Sequence, residues 1–151
     1  MPYTESPVRE LSSEECWSLL DSEEIGRLAY RLVDEIHVVP LNYVVDQGEL
    51  LFRTTPGNKL FAAALHSEVA FEIDWFGDEV AWSVVARGTM RVLDEVEEHR
   101  VDGLPLRPWV ATLKYDVVSV TPTVVTGRTF TLDRSSGDGP GGTAGDPAAL
   151  R

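Results

Sequence analysis

The thirty residues from Ile25 to Thr54, IGRLAYRLVDEIHVVPLNYVVDQGELLFRT, decide the fold class. Ile25–Leu32 reads as a strand and Ile36–Val45 as another, with Val33-Asp34-Glu35 turning between them. Asp46-Gln47-Gly48 is a tight hairpin signal that leads into a third strand, Glu49–Thr54. Apolar residues run here at period two or continuously, without helical spacing. Upstream, Leu11-Ser12-Ser13-Glu14-Glu15-Cys16 places Ser12 at a helix N-cap with Glu15 three residues on, a capping box. Leu11 and Cys16 fall at the staple positions, and Trp17, Leu19 and Leu20 continue an apolar face as far as Asp21. Downstream, Thr55-Pro56-Gly57-Asn58 is a loop and Lys59–Leu65 a short helix rich in Ala and Leu. Val69–Ile73 and Ala81–Leu93 read as strands joined through Asp74–Val80, and Asp94–Asp102 as a polar helix. Thr112–Thr121 and Val124–Leu132, both rich in β-branched residues, complete six or seven strands. The strands are not regularly alternated with helices, so the chain is mainly β, a small barrel with short helices.

The whole chain has 151 residues, enough for one domain. Residues 1–134 form that domain. Ser135–Arg151 holds five glycines, two prolines and no large apolar side chain except Leu150, the composition of a flexible tail. Gly137, Gly139 and Gly142 match the spacing GxGxxG, but no helical pattern follows and Pro140 interrupts them, so they are no dinucleotide fingerprint. Thirteen Lys and Arg against twenty-five Asp and Glu give a net charge of −12, which repels nucleic acid and anionic lipid. No apolar run approaches the roughly 20 residues of a membrane span. The single Cys16 rules out an internal disulfide, and a cytoplasmic location is expected. Glu95 and His99, at i,i+4, could share a metal on one helix face, but no second pair stands nearby in sequence, and a solvated charged face is the plainer reading.

Two stretches carry chemistry. In Arg53-Thr54-Thr55-Pro56-Gly57-Asn58-Lys59-Leu60, two cations, two hydroxyls and a helix start fall within a few residues, a combination that suits a phosphate. Arg grips two oxygens and Lys supplies a point charge. The same residues also fit a capped helix start with two solvated cations. In Ala81-Trp82-Ser83-Val84-Val85, Trp82 and Ser83 should point to opposite faces unless a bulge turns both toward a ligand. A planar heterocycle wants such flat apolar contacts and edge hydrogen bonds, though a strand-end Trp buried in the core reads equally simply.

With these residues in view, the chain resembles the flavin-binding split-barrel group of pyridoxamine 5′-phosphate oxidase, in its compact bacterial branch. The resemblance runs through Ile25-Gly26-Arg27-Leu28-Ala29, Val39-Pro40-Leu41-Asn42-Tyr43, Phe52-Arg53-Thr54 to Gly57-Asn58-Lys59-Leu60, Val69–Asp74, Trp82-Ser83-Val84 before Gly88, and Thr126-Gly127-Arg128. It implies a six-stranded split barrel, paired as a homodimer, with FMN in clefts between subunits and a small-molecule substrate. Arg53, Thr54 and Lys59, with Thr55, Asn58 and Leu60 around them, would hold the phosphate. The backbone of Pro40, Leu41, Asn42 and Tyr43, together with Trp82, Ser83 and Val84, would line the isoalloxazine. The oxidase proper ends in a Trp- and Arg-containing segment that contacts its substrate. This chain has Thr126-Gly127-Arg128-Thr129-Phe130 there, so vitamin B6 oxidation is not implied. Other members bind the deazaflavin F420 or haem, which leaves an F420-dependent reductase or a non-enzymatic flavin- or haem-binding protein as alternatives. F420 carries a longer anionic tail, for which Arg87, Arg91 and Arg128 are the nearby supply.

Overall fold

A computed structural model describes residues 6–55, 64–106 and 115–133. The expected tail, and most of the Lys59–Leu65 helix, lie outside the described residues. Among the described residues there are eight strands in one sheet, every pair antiparallel, where six or seven were expected. They are β1 (Val8–Glu10), β2 (Ile25–Leu32), β3 (Glu35–Asn42), β4 (Val44–Asp46), β5 (Glu49–Thr54), β6 (Glu68–Phe76), β7 (Val80–Val92) and β8 (Asp116–Thr131). One helix, α1, spans Ser13–Ser22, and Glu97–Val101 forms a 3₁₀ turn. No described helix is long and apolar enough to cross a membrane.

The capping box forms as read. Ser12 Oγ accepts from the Glu15 amide and Glu15 Oε1 accepts from the Ser12 amide, each at 3.1 Å. Arg9 donates to both Glu15 oxygens, tying β1 to the helix. The guanidinium and the Ser12 amide together pull the Glu15 carboxyl down to about 2. Cys16 and Leu20 bury the inner face of α1 in the main core, beside Leu28, Phe52, Phe71, Ile73, Val84 and Met90.

The strand order is β3-β2-β6-β7-β8-β5-β4, with β1 added beside β8. β3 and β4 stand at opposite ends of this order, yet only Tyr43 separates them in the chain. The ends of the sheet are therefore joined covalently, and the sheet curls around the core. Ile36–Val45, expected as one strand, breaks here because Tyr43 is anchored to the end of α1. Its amide donates to Glu24 O at 3.0 Å, its hydroxyl donates to Leu20 O at 2.5 Å, and its ring meets Phe71 edge-on at 4.7 Å. Burial pushes the Tyr43 phenol up, so the hydroxyl stays a donor.

Other boundaries shift for local reasons. β6 and β7 run closer together than Asp74–Val80 suggested, closing a hairpin in which the Gly77 amide donates to Val80 O at 2.8 Å. The Asp94–Asp102 helix is reduced to one 3₁₀ turn, whose entry Asp94 Oδ1 caps by accepting from the Val96 and Glu97 amides. Thr112–Thr121 and Val124–Leu132, expected as two strands, join in the single β8. Pro122 has no amide hydrogen to donate, and the ladder accommodates it with a bulge. Gly88 faces Pro122 while Arg87 faces Val124, so Thr123 is the extra residue. Gly88 permits the approach, since a Cβ there would lie 2.0 Å from Thr121 O.

A second, smaller core of Val44, Leu51, Leu93, Val101, Leu106 and Val117 fills the other side of β5. Arg100 fastens the 3₁₀ turn over it, donating to Asp46 Oδ2 at 2.8 Å and Glu49 Oε2 at 3.1 Å. The fully buried Ser119 donates to the same Glu49 oxygen at 2.6 Å. This network steadies the β4–β5 hairpin, whose far end carries Arg53.

Candidate functional site

Two of the predicted segments meet where the ends of the sheet come together. β3 ends at Asn42. β5 pairs with β4 only as far as Val44 opposite Leu51, then runs three residues further, back toward Tyr43, to end at Thr54. Pro40–Tyr43 and Arg53–Thr55 therefore lie beside one seam. Leu41 and Tyr43 face the core, Pro40 is exposed and Asn42 half-buried. Thr54 is buried and Thr55 exposed. The half-buried Arg53 places its guanidinium 5.6 Å from the centre of the Tyr115 ring, a cation–π contact. No carboxylate pairs with it among the described residues. Asn58, Lys59 and Leu60 lie outside the described residues.

The third segment lies three strands away across the sheet, roughly 14 Å from β3 at normal strand spacing. Trp82 and Ser83 do point to opposite faces. Trp82 packs against the core, and Val84 is fully buried within it. Ser83 faces outward and lines a groove of about 510 Å³. Val85 and Arg87 follow it at period two along β7, while Thr126, Arg128 and Phe130 stand opposite on β8. Glu10 and Leu11 close the groove beyond β8.

The outer face is continuous from the seam to this groove. Pro40, Arg27, Glu72, Val85 and Thr126 form one row across five strands, and Val38, Ala29, Ala70, Arg87 and Val124 form the next. Arg27 bridges two carboxylates in the middle, 2.9 Å from Glu72 and 2.6 Å from Asp74. Burial, reinforced by Asp74, holds the Glu72 carboxyl above the usual range despite the guanidinium. Around this polar centre the face is apolar: Ile25, Ile36, Val38 and Val124 are each at least half exposed.

Residues 12–129 match the pyridoxamine 5′-phosphate oxidase family. The chain belongs to that family. A provisionally assigned pyridoxamine 5′-phosphate oxidase of Corynebacterium glutamicum superposes with a TM-score of 0.78 at 41% identity, over 85% of this chain and 97% of its own. A protein of Mycobacterium smegmatis described as FAD-binding superposes with a TM-score of 0.75 at 40% identity, over 83% of this chain and 100% of its own. An uncharacterized protein of Mycobacterium tuberculosis is 40% identical over 82 residues, 54% of this chain and 74% of its own. The curled sheet is thus the split barrel of the pyridoxamine 5′-phosphate oxidase family, built here from eight strands among the described residues.

Sequence reading named Arg87 and Arg128 without finding the groove they share. The signal was present in the alternation of Ser83, Val85 and Arg87 and of Thr126, Arg128 and Phe130. Putting the two on one wall also required the β7–β8 register, which depends on the bulge at Gly88.

Proposed function

We propose that the protein binds a flavin at the seam and serves as a flavin-dependent oxidoreductase, working as a homodimer with the cofactor at the subunit interface. The observation that carries this reading is Arg53. In a chain of net charge −12, its guanidinium sits at the seam with no carboxylate partner among the described residues, where an anion can pair with it. Thr54 and Thr55 add hydroxyls beside it, and Lys59 a second cation in sequence. Membership of the family supports a flavin as the anion's owner, as does the FAD-binding description of the M. smegmatis relative.

FMN is the form for which the seam residues account: one phosphate at Arg53–Lys59, with the Pro40–Tyr43 backbone offered to the ring. Trp82 and Val84 face the core and the Val84 backbone is paired with β6 and β8, which leaves the Pro40–Tyr43 backbone as the ring's support within one chain. When bound, the flavin supplies the hydride chemistry, and the chain binds and orients it. A second copy would cover the apolar outer face and shield the cofactor from water. For the longer tail of F420, Arg91 is unsuited, because Glu97 holds it at 2.8 Å and Glu49 stands 3.8 Å away.

Titrating FMN and FAD into wild type, Arg53→Ala and Lys59→Ala tests the reading. Each lost charge-assisted contact should weaken flavin binding about ten- to a hundredfold. Unchanged affinity in both variants sinks it. Sedimentation at micromolar concentration should show a dimer, and a species of 16.7 kDa alone would refute the pairing.

A further inference from the structure

The groove between β7, β8 and β1 has no part in holding the phosphate at Arg53. Along β8, Arg53 stands opposite Val117 and Glu10 opposite Arg128. Those positions are eleven residues apart, a contour of roughly 36 Å on one strand. A single phosphate cannot touch both places in one chain. Yet the groove is furnished for an anion of its own. Arg87 and Arg128 are exposed, line its wall and pair with no carboxylate among the described residues. Of the other described arginines, Arg9, Arg27, Arg91 and Arg100 have carboxylate partners within 3.0 Å, while Arg31 and Arg53 have none among the described residues and lie outside this groove. In so acidic a chain, cations left without partners on one concave wall favour an anionic ligand over random surface charge.

The rest of the lining narrows the ligand. Ser83 and Thr126 offer hydroxyls to phosphate oxygens. Val85, Leu11 and Phe130 supply an apolar surface for a flat ring. Glu10 lies opposite Arg128 in register without an ion pair, and its carboxylate can accept from sugar hydroxyls. The volume of about 510 Å³ suits a mononucleotide. We propose that this groove is a second binding site, for the phosphate, sugar and base of an adenylate. That adenylate is either the distal half of FAD, reaching the groove across a dimer interface, or a separate nucleotide such as an electron donor. Only the FAD source rests on the flavin reading above.

The test titrates ADP, FMN and FAD into the full chain as wild type, Arg87→Ala, Arg128→Ala and Arg128→Lys. Both arginines are exposed, so the fold should be unaffected, and matching melting curves check this. ADP should bind wild type and weaken about ten- to a hundredfold in either Ala variant, with Arg128→Lys between, while FMN affinity stays within about twofold. If FAD weakens together with ADP, the adenylate is that of FAD; if FAD holds its affinity while ADP weakens, the nucleotide is separate. Arginine-dependent ADP binding in a protein that takes up neither flavin would uphold the groove and overturn the flavin reading alone. The proposal fails if no variant changes ADP or FAD binding, or if FMN weakens as much as FAD, which would make the groove part of the flavin's own phosphate site.

Discussion

Replacing Gly88 by Ala should destabilise the barrel more than a methyl added at Gly48, Gly77 or Gly103. A Cβ at Gly88 would lie 2.0 Å from Thr121 O and 2.7 Å from Pro122 Cα, and both obstacles are backbone. Ordinary contact needs more than 3 Å, so β7 and β8 must part by over about 1 Å at the bulge, or the bulge must move. Overpacking of this kind costs about 1–3 kcal/mol, and with rigid backbone on the other side we expect the upper end. For a domain of this size that lowers the melting temperature by roughly 6–12 °C. Gly103→Ala is the control: its Cβ would meet nothing within 4 Å, and its φ lies outside the left-handed region, so stability should hold or rise by about 0.4–1 kcal/mol. Thermal melts of the two variants by circular dichroism compare them directly. If both melt like wild type, β7 and β8 do not approach at Gly88, and the register that places Arg87 in the groove is wrong.

Three further outcomes follow from local structure. Val33 is a β-branched residue at φ 55 with 83% of its surface exposed, so Val33→Asn should stabilise by about 1 kcal/mol, read as a higher melting temperature. Ser12→Ala removes one bond of the capping box and should cost about 1 kcal/mol in the same assay. Glu72 titrates above the ordinary carboxylate range when folded, so the folded state binds the extra proton. Its contribution is then fully present below the ordinary Glu value and lost as pH rises through the raised folded value. Relative to Glu72→Gln, wild type should gain stability on acidification across that window. A pH-independent difference in melting temperature would contradict the burial of Glu72 beside Asp74.

Much of the barrel was legible because its signals are local. Ser12 and Glu15 announce α1 in four residues, and β2 matches the expected Ile25–Leu32 to the residue. The Asp46-Gln47-Gly48 hairpin forms with φ 50 and 75 at Gln47 and Gly48, the turn that strand twist favours. What escaped was set by distant partners. β1 is three exposed residues with no alternation, made a strand only by pairing with Arg128–Phe130 at the far end of the chain. The two strands expected on either side of Pro122 are one: a missing amide hydrogen normally ends a ladder, and nothing local reveals that Gly88 absorbs it. The site divides in the same way. Alternation alone set Trp82 and Ser83 on opposite faces, whereas the meeting of Pro40–Tyr43 with Arg53–Thr55 depends on a curl that brings the two ends of the sheet together at Tyr43.

Whether this member of the pyridoxamine 5′-phosphate oxidase family carries a flavin is tested most directly by an absorption spectrum of the purified protein, before and after incubation with FMN or FAD and removal of the excess. The expected result is the two-banded visible spectrum of a bound flavin, retained through gel filtration by wild type and diminished in Arg53→Ala. A spectrum that stays colourless after incubation, or one showing a deazaflavin or haem band instead, would contradict it.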